Sequence, residues 1–355
     1  MRRLPVYFLV DVSESMVGQP IEQVQDGMRT IIQSLRVDPY ALETVWVSII
    51  AFAGKARCLV PLTELYKFYP PVFPIGGGTS LARGLEMLMD DIDRNVQKTT
   101  REIKGDWKPI IFIFTDGNPT DDCTAAFRRW NEKYRSHCNL VAVSIGDNVN
   151  VLTLAQITDE ILLLKETDTE SFSKFFKWVT ASIANTSVSV AEQDGDGLKL
   201  APTAGINLDK VDAEEIRREG RGKETGAHQA DDNYVVIHGR CCNTKSHYLV
   251  KYVRAELLNR RLPEGAKYGI LDAYPIDGES YEQLSSGESA QINSSLLRGT
   301  SSCPCCGNEL SVVTCGNCGR LMCAAFEVSN KCPWCGEEGT LSSGGGSFDL
   351  GRGLG

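Results

Sequence analysis

The chain has 355 residues and a net charge of −9, and its composition, 42% hydrophobic and 23% charged, is that of globular proteins that dissolve in water. This length predicts two or three domains, because single cores rarely grow beyond roughly 250 to 300 residues. The negative charge disfavours nucleic acid as a partner, since phosphate contacts need a cationic surface. No apolar run approaches the roughly 20 residues that cross a bilayer, so we expect no membrane partner.

The first residues and the cysteines indicate the compartment. A short apolar run near the start ends at Asp11, and no small-residue cleavage site follows it, which disfavours export. Thirteen cysteines would indicate disulfides in a small secreted protein. Eight of them, however, lie between Cys303 and Cys335 at spacings typical of metal ligands in a reducing compartment. We therefore expect a cytoplasmic protein.

From Leu4 to about Asn185, apolar runs alternate with amphipathic stretches, a pattern typical of a parallel sheet covered by helices. The predicted strands are Pro5–Val10, Thr44–Phe52, Ala56–Pro61, Pro109–Thr115, Leu140–Ile145 and Glu160–Leu164. The predicted helices lie near Pro20–Leu35, Ser80–Val96, Asp122–Arg135, Val151–Thr158 and Glu170–Ile183. The connection at Gly54 and Lys55 is too short for a crossover helix, so the second and third strands should form an antiparallel hairpin at a sheet edge. The fold class is thus α/β, with a doubly wound, mostly parallel sheet over residues 1–187.

The second half of the chain has a different character. Residues 188–232 are rich in Gly, Asp, Glu and Ala and are predicted to be a linker with one short helix. Short β-like runs separated by turn residues predict a small β-rich module over residues 233–338 that includes the cysteine cluster. Residues 339–355 contain LSSGGGSFDLGRGLG, which is expected to be a disordered Gly-rich tail.

Three loops carry oxygen ligands at the edge of the predicted sheet where parallel strands end. Asp11, Ser13 and Ser15 form a DxSxS pattern after the first strand; Thr79 follows three glycines, and Asp116 follows the strand PIIFIF. Ligand sites of doubly wound sheets lie beyond the carboxyl ends of the strands. An isolated DxSxS could be an ordinary turn and helix cap, but three such loops in order predict one cation site.

The chemistry of these groups is that of a hard cation with an open position. A magnesium ion takes six oxygens and keeps several waters, so two carboxylates and three hydroxyls satisfy it only in part. Two negative charges leave the ion electrophilic toward an incoming carboxylate. The loop GGGTS lacks the Lys and Ser/Thr that complete a phosphate-binding loop, so a nucleotide is not predicted.

The stretches DVSES, GGGTS and FTDG resemble the metal-ion-dependent adhesion site of von Willebrand factor A domains over about residues 1–187. The resemblance implies Mg²⁺, or Ca²⁺ or Mn²⁺, and a protein partner that offers an acidic side chain. It also implies that Asp11, Ser13 and Ser15 contact the ion directly or through water, that Thr79 adds a hydroxyl, and that Asp116 acts largely through a bridging water. Glu14 stands where the family most often has glycine. It could strengthen cation affinity or disfavour an acidic partner, and the sequence leaves both open.

The cysteine cluster contains three CxxCG turns and two further thiols. A CxxC turn followed by glycine lets two thiolates face one ion, and four thiolates close a structural Zn²⁺ site that does not perform hydrolysis. The eight predicted ligands are Cys303, Cys305, Cys306, Cys315, Cys318, Cys323, Cys332 and Cys335. Two four-cysteine sites, or one site with spare thiols, are both compatible with the spacing, and a redox role is the less favoured alternative. Cys241 and Cys242 stay ambiguous.

The combination of such an A domain with a β-plus-cysteine module resembles bacterial TerY-like proteins and their TerY-C domain. That resemblance implies a scaffold in a tellurium-resistance or stress-response signalling system, with a protein kinase and a metal-dependent phosphatase as partners. Nothing in the residue spacing itself indicates these partners.

A protein-binding module is favoured over an enzyme. A metal-dependent hydrolase or phosphatase would need more carboxylates or histidines around the ion to position a water. The histidines have no paired spacing of this kind and are predicted to be core or solvated residues: His137, His228, His238 and His247. An A-domain subunit that assists a motor ATPase would share the same cation chemistry and stays an alternative.

Overall fold

The computed structural model describes most of the chain with side chains. The described residues are 2–116, 119–145, 151–164, 169–191, 198–202, 208–219, 230–258, 262–326, 328–341 and 347–354. Gly117 of the predicted FTDG loop, His228 and parts of the predicted linker and tail lie outside them. No helix of the described part is long and apolar enough to cross a bilayer.

The N-terminal half is built on a seven-stranded sheet in the order β3-β2-β1-β4-β5-β6-β7. Its strands are β1 (Leu4–Asp11), β2 (Val45–Phe52), β3 (Ala56–Glu64), β4 (Ile110–Thr115), β5 (Asn139–Ile145), β6 (Glu160–Leu164) and β7 (Leu208–Asp212). The five strands from β2 to β6 in this order are parallel, and β2 and β3 form the predicted antiparallel hairpin at the edge. The predicted mostly parallel α/β sheet is confirmed.

Helices cover both faces of this sheet. They are α1 (Gln19–Arg36), α2 (Pro39–Thr44), α3 (Leu81–Asn95), α4 (Thr124–Lys133), α5 (Val151–Ala155), α6 (Thr169–Ala191) and α7 (Ala213–Glu219). Alternate residues of β1 point to opposite faces: Phe8 packs in the core formed with α1 and α6, and Leu9 in the core formed with α3 and α4. The order of strands makes β1 and β4 neighbours, so the loops that follow them lie side by side.

The predicted linker contributes to the sheet. Strand β7 lies within residues 188–232 and pairs antiparallel with β6, and α7 packs on α5. The Arg217 guanidinium donates to the carbonyl of Ala155 at 2.6 Å and forms an ion pair with Asp159. This part of the chain therefore completes the N-terminal domain and does not merely connect two units.

The C-terminal half is a second sheet in the order β12-β10-β9-β8-β14-β13. Its elements are β8 (Tyr234–Arg240), β9 (His247–Arg254), β10 (Tyr268–Ile276), α8 (Gly278–Leu284), β11 (Ala290–Asn293), β12 (Leu297–Arg298), β13 (Leu310–Thr314), β14 (Leu321–Ala324), β15 (Asn330–Lys331), β16 (Glu338–Gly339) and β17 (Asp349–Arg352). Strands β8, β9 and β10 form an antiparallel meander, in agreement with the predicted β-rich module.

The segment expected to be a disordered tail contains β17, which pairs antiparallel with β11. Leu350 and Leu354 are buried, and the Arg352 guanidinium donates to the carbonyls of Asp231 and Tyr234. Composition alone underrated this segment, because its few apolar side chains are buried against other elements and its strand finds a partner.

The two sheets share one core. Side chains on one face of β8 and β9, Val236 and Leu249, are fully buried with Leu284 of α8 in the same cluster as Met16 and Phe8 of the N-terminal domain. The opposite face of these strands, with Val235 and Val250, packs in the core of the C-terminal domain itself. The C-terminal sheet is therefore covered on both faces.

Candidate functional site

The predicted cation residues of the first loop meet Asp116 beyond the ends of β1 and β4. The Ser13 and Ser15 hydroxyls lie 3.0 Å apart, and the Ser15 hydroxyl donates to Oδ1 of Asp116 at 2.8 Å. Asp11 accepts from the Ser13 backbone N–H at 2.9 Å and from the Thr115 hydroxyl at 2.7 Å. Two carboxylates and two serine hydroxyls from distant stretches thus form one hydrogen-bonded cluster.

Thr79 is placed at the same edge of the sheet by its glycine loop. The Gly76 N–H donates to the carbonyl of Val12 at 2.9 Å, which attaches this loop to the residue after Asp11. The Thr79 backbone N–H and carbonyl both bond to Thr120. Its hydroxyl is buried and has no hydrogen-bond partner among the residues that the structure describes. A buried hydroxyl without a partner is costly unless something else satisfies it.

The electrostatics of the two carboxylates also call for a cation. Burial raises the pKa of Asp11 to about 6, although hydrogen bonds from Thr115 and Ser13 oppose the shift. Burial and the nearby Asp11 raise the pKa of Asp116 to about 7. Two carboxylates that resist ionisation together are stabilised in their charged form by a divalent ion. With the free Thr79 hydroxyl, the residues present fit a hard cation such as Mg²⁺.

The C-terminal domain contacts two of the three cation loops, which the sequence did not indicate. The buried Lys251 ammonium of β9 donates to the backbone carbonyls of Ser15 and Val17. The Ser285 hydroxyl accepts from the Gly77 N–H at 2.8 Å. Burial lowers the pKa of Lys251, and Asp116 opposes that shift. A basic residue of one domain therefore lies in the electrostatic field of the other domain's carboxylates.

Glu14, whose effect the sequence left open, points away from the solvent. Its side chain is 1% exposed, and its Oε1 accepts a hydrogen bond from the Tyr281 hydroxyl of α8. Its other oxygen lies against Gly353, where a built Cβ would overlap it. The departure from glycine at position 14 thus creates a contact between the domains.

Two groups of four thiols could each hold a metal ion. Within each group all sulfur atoms lie within 4.8 Å of one another. The first quartet is Cys241, Cys303, Cys306 and Cys323, and the second is Cys315, Cys318, Cys332 and Cys335. Four converging thiolates are the ligand set of structural zinc sites. Of the two arrangements that the spacing allowed, the structure therefore shows two quartets.

One predicted ligand lies outside both quartets. Cys305 was predicted as a ligand, but its sulfur points toward the carbonyl of His247 at 3.9 Å. In the sequence Cys303-Pro-Cys305-Cys306 the CxxC turn places the first and fourth residues together, so Cys305 faces another direction. The fourth ligand position is taken by Cys241 at the end of β8, which sequence analysis had left ambiguous. The feature of the sequence that could have indicated this ligand is the pair of cysteines, Cys241 and Cys242, directly after a strand.

Two histidines that showed no paired spacing in the sequence are neighbours in the fold. The β8–β9 hairpin brings Nε2 of His238 within 3.0 Å of Nδ1 of His247. Burial lowers the pKa of His238 to about 3, with smaller contributions from His247 and nearby arginines, so the ring is neutral. Tyr281 and Trp334 pack on the His238 ring. The pair belongs to the packing between the second quartet and Glu14, not to the cation cluster.

Comparisons with known proteins agree with both halves of this description. The model of the von Willebrand factor type A domain matches residues 6–178, and that of the TerY-C metal binding domain matches residues 231–355. Domains of the first kind commonly mediate protein–protein contacts, and neither kind is typically catalytic. The pair of domains indicates a metal-dependent interaction scaffold.

The solved structures that are similar to this chain are distant in sequence. A von Willebrand factor type A protein from Catenulispora acidiphila is 12% identical, with 79% of this chain and 68% of that chain covered and a TM-score of 0.41. BatB from Bacteroides thetaiotaomicron is 16% identical, with 54% and 99% covered and a TM-score of 0.36.

A third similar structure is proximal thread matrix protein 1 from the mussel byssus with a zinc-occupied MIDAS motif. It is 16% identical, with 52% of this chain and 46% of that chain covered and a TM-score of 0.38, so the chain spans less than half the length of the byssus protein. The family models thus show a von Willebrand factor type A domain at residues 6–178 and a TerY-C metal binding domain at residues 231–355.

Proposed function

We propose that the protein is a scaffold that captures an acidic side chain of a partner protein through a divalent cation. The cation, Mg²⁺ or else Ca²⁺ or Mn²⁺, would be held by Asp11, Ser13, Ser15, Thr79 and Asp116. The observation that carries this proposal is the hydrogen-bonded cluster of the buried Asp11, the half-buried Asp116 and two serine hydroxyls, with the unpartnered Thr79 hydroxyl at the same edge of the sheet. When bound, the ion would supply a positive charge and a coordination position for a carboxylate.

The chain's own groups would perform the remaining tasks. The Thr115 hydroxyl and the Ser13 N–H orient Asp11, and the Ser15 hydroxyl orients Asp116. Bonds of Thr79 to Thr120 fix the backbone of the glycine loop. Such preorganised oxygen ligands reduce the cost of ordering the site when the ion binds.

The two cysteine quartets would hold two structural zinc ions. Both sites would be closed by four thiolates, which leaves no coordination position for a substrate. Their role in this proposal is to stabilise the C-terminal domain, since binding of metal to such sites contributes directly to folding.

The biological setting is proposed from the domain pair. A bacterial stress-response or tellurium-resistance system, with a protein kinase and a metal-dependent phosphatase as partners, is the setting that the TerY-C match supports. A metal-dependent hydrolase, or a subunit assisting a motor ATPase, is the alternative. The hydrogen-bond partners described for Asp11 and Asp116 include serine and threonine but no histidine that could serve as a general base.

Calorimetric titration with Mg²⁺ tests the cation site. Asp11→Ala removes one of the two carboxylates, so we expect Mg²⁺ affinity to fall at least about 100-fold. Asp26→Ala, which removes an exposed carboxylate on α1, is the matched control and should bind Mg²⁺ as the unaltered protein does. Equal affinity of the Asp11→Ala and control variants would show that the loop cluster is not the site. A pull-down with and without chelator would then identify the partner.

A further inference from the structure

The oxygen ligands of the proposed cation site are covered in the folded chain. Four of the five proposed ligands, Asp11, Ser13, Ser15 and Thr79, are each at most 1% exposed, and Asp116 is half-buried, although the proposed function needs a carboxylate to reach the ion. Residues of the chain's own C-terminal domain contact two of the three loops that carry these ligands. The access of a partner therefore depends on how this domain is held.

One attachment joins the C-terminal sheet to the cation loop. On β9, Lys251 lies on the same face as Leu249, which is buried in the core of the N-terminal domain. Its ammonium group donates to the carbonyls of Ser15 and Val17, within the segment that links the DxSxS loop to α1. A second attachment bonds the β2–β3 turn and the glycine loop to the end of α8: the Lys55 N–H donates to the carbonyl of Leu284 at 2.8 Å, and the Gly77 N–H donates to the Ser285 hydroxyl.

The closest attachment is made by Glu14. Its carboxylate accepts from the Tyr281 hydroxyl on one side. On the other side it lies against Gly353, and any side chain at that position would overlap the carboxylate. Only glycine fits position 353 as long as Glu14 keeps its place.

The residues after β17 are held firmly in this place. The Gly353 N–H donates to the carbonyl of Val236 at 2.9 Å, and the carbonyl of Leu354 accepts from the Asp231 N–H at 3.1 Å. Leu354 is 7% exposed, and the nearby Arg352 guanidinium donates to three backbone carbonyls. These contacts place residues 349–354 over the cation loop as part of the domain.

We propose that the C-terminal domain is an intramolecular cap on the cation site, fastened by Glu14 to Tyr281 and Gly353, and that an external carboxylate reaches the ion only after this contact opens. The cap rests on the proposed function, since it covers the site that the partner would use. Glu14 then serves neither as an extra cation ligand nor as a repulsive rim charge. It is a residue by which the chain fastens its own C-terminal domain next to the site.

Gly353→Ala tests the fastening, because a methyl group at this position must displace the Glu14 carboxylate or the residues around Gly353. The matched control is Gly351→Ala on the same segment, where a built Cβ meets no atom within 4 Å. Glu14→Gly, alone and with Gly353→Ala, completes a double-mutant cycle. Tyr281→Phe removes only the hydroxyl and loosens the same contact without added volume.

Two measurements follow. Hydrogen exchange of peptides covering residues 11–16 and 347–354, without added divalent cation, should be at least about tenfold faster in Gly353→Ala and Tyr281→Phe than in the control. Adding Gly353→Ala to Glu14→Gly should cause no further change. With Mn²⁺ bound, the relaxation rate of water protons should be higher in Gly353→Ala than in the control, because solvent water reaches an uncovered ion more readily.

The cap is refuted if Gly353→Ala and Gly351→Ala exchange alike, or if Gly353→Ala has the same effect with and without Glu14. Faster exchange with unchanged water relaxation would equally overturn the covering role. Failure of the unaltered protein to bind Mn²⁺ would count against the proposed cation site alone, because the exchange measurement needs no cation. Zinc content, measured for every variant, shows that the C-terminal domain is intact.

Discussion

The residue after each CxxC pair has positive φ and closes the turn. Gly307, Gly319 and Gly336 have φ of 78°, 69° and 82°, and each donates its N–H to the carbonyl of the first cysteine of its turn. Lys245 adopts φ 62° and donates to the carbonyl of Cys241 in the same way. A lysine in this conformation costs about 1 kcal/mol or more, so the surroundings must impose it. The segment from Cys241 to Lys245 is therefore a fourth turn of the same kind, with a threonine in place of the second thiol.

The amount of zinc bound per chain should depend on the cysteines of the two quartets and not on every cysteine of the cluster. Cys241→Ser removes a member of the first quartet, so we expect bound zinc to fall from about two to about one per chain. Cys305→Ser, a change of the same kind in a thiol outside the quartets, should leave about two. Elemental analysis after gel filtration measures both. Loss of zinc in Cys305→Ser with retention in Cys241→Ser would reverse the assignment.

Helices α1 and α6 approach each other closely because α1 has a glycine on the face that contacts α6. Gly27 is buried within α1, and a Cβ built on it would overlap the ring of Phe176 of α6. Phe176 in turn packs edge-on against Phe114 of β4, so the ring has little room to move. Glycine is usually a weak helix residue, but here it permits the packing that supports the strand leading to Asp116.

Gly27→Ala should therefore destabilise the protein, although the same change at an exposed helical position stabilises by about 1 kcal/mol. We expect a loss of about 1–3 kcal/mol from overpacking. Gln33→Ala on the exposed face of α1 is the control and should stay within about 0.5 kcal/mol of the unaltered protein. Urea unfolding followed by far-UV circular dichroism measures both. A more stable Gly27→Ala variant would contradict the described packing.

Strands that are apolar runs could be predicted from the sequence. Short polar strands, which form only because a neighbouring strand offers hydrogen-bond partners, could not. β4 and β6 are apolar runs, and the structure places them within one residue of the predicted bounds. β7 has the polar sequence LDKVD and is a strand because β6 offers it an edge. β17, with the sequence DLGR, depends in the same way on β11.

The clustering of Asp11, Ser13, Ser15 and Asp116 could be predicted because their motifs occur in order, but the residues of the other domain that contact these loops could not. In an antiparallel strand such as HYLVKYVR, a lysine between apolar neighbours indicates the solvent-facing side. Lys251 is instead 3% exposed, because the N-terminal domain covers that face of the sheet. Contacts between distant domains leave no local pattern in the sequence.

At the scale of the whole molecule, the two domains are joined by both apolar and polar contacts. Val236 and Leu249 are buried in the core of the N-terminal domain, and Trp334 of the last CxxC turn packs on the histidine pair that touches Tyr281. A shared core of this kind couples the unfolding of both domains. The zinc sites should therefore support the N-terminal domain as well as their own.

Calorimetric melting should show one cooperative transition, and zinc removal should shift all of it. With 1,10-phenanthroline we expect the midpoint to fall by at least about 5 °C. The isomer 1,7-phenanthroline, which does not chelate, is the control and should leave the midpoint unchanged. Two separate transitions, of which only one responds to the chelator, would show that the domains unfold independently.

The contacts made by Lys251 and Tyr281 join residues that are 236 and 267 positions apart in the chain. Contacts that close such long loops form late in folding, because the entropy of closure is lost before the contact stabilises anything. The N-terminal sheet consists mainly of neighbours that are closer in sequence and can assemble earlier. We therefore expect the cation loops to be uncovered early in folding and to be covered once the C-terminal domain has docked onto them.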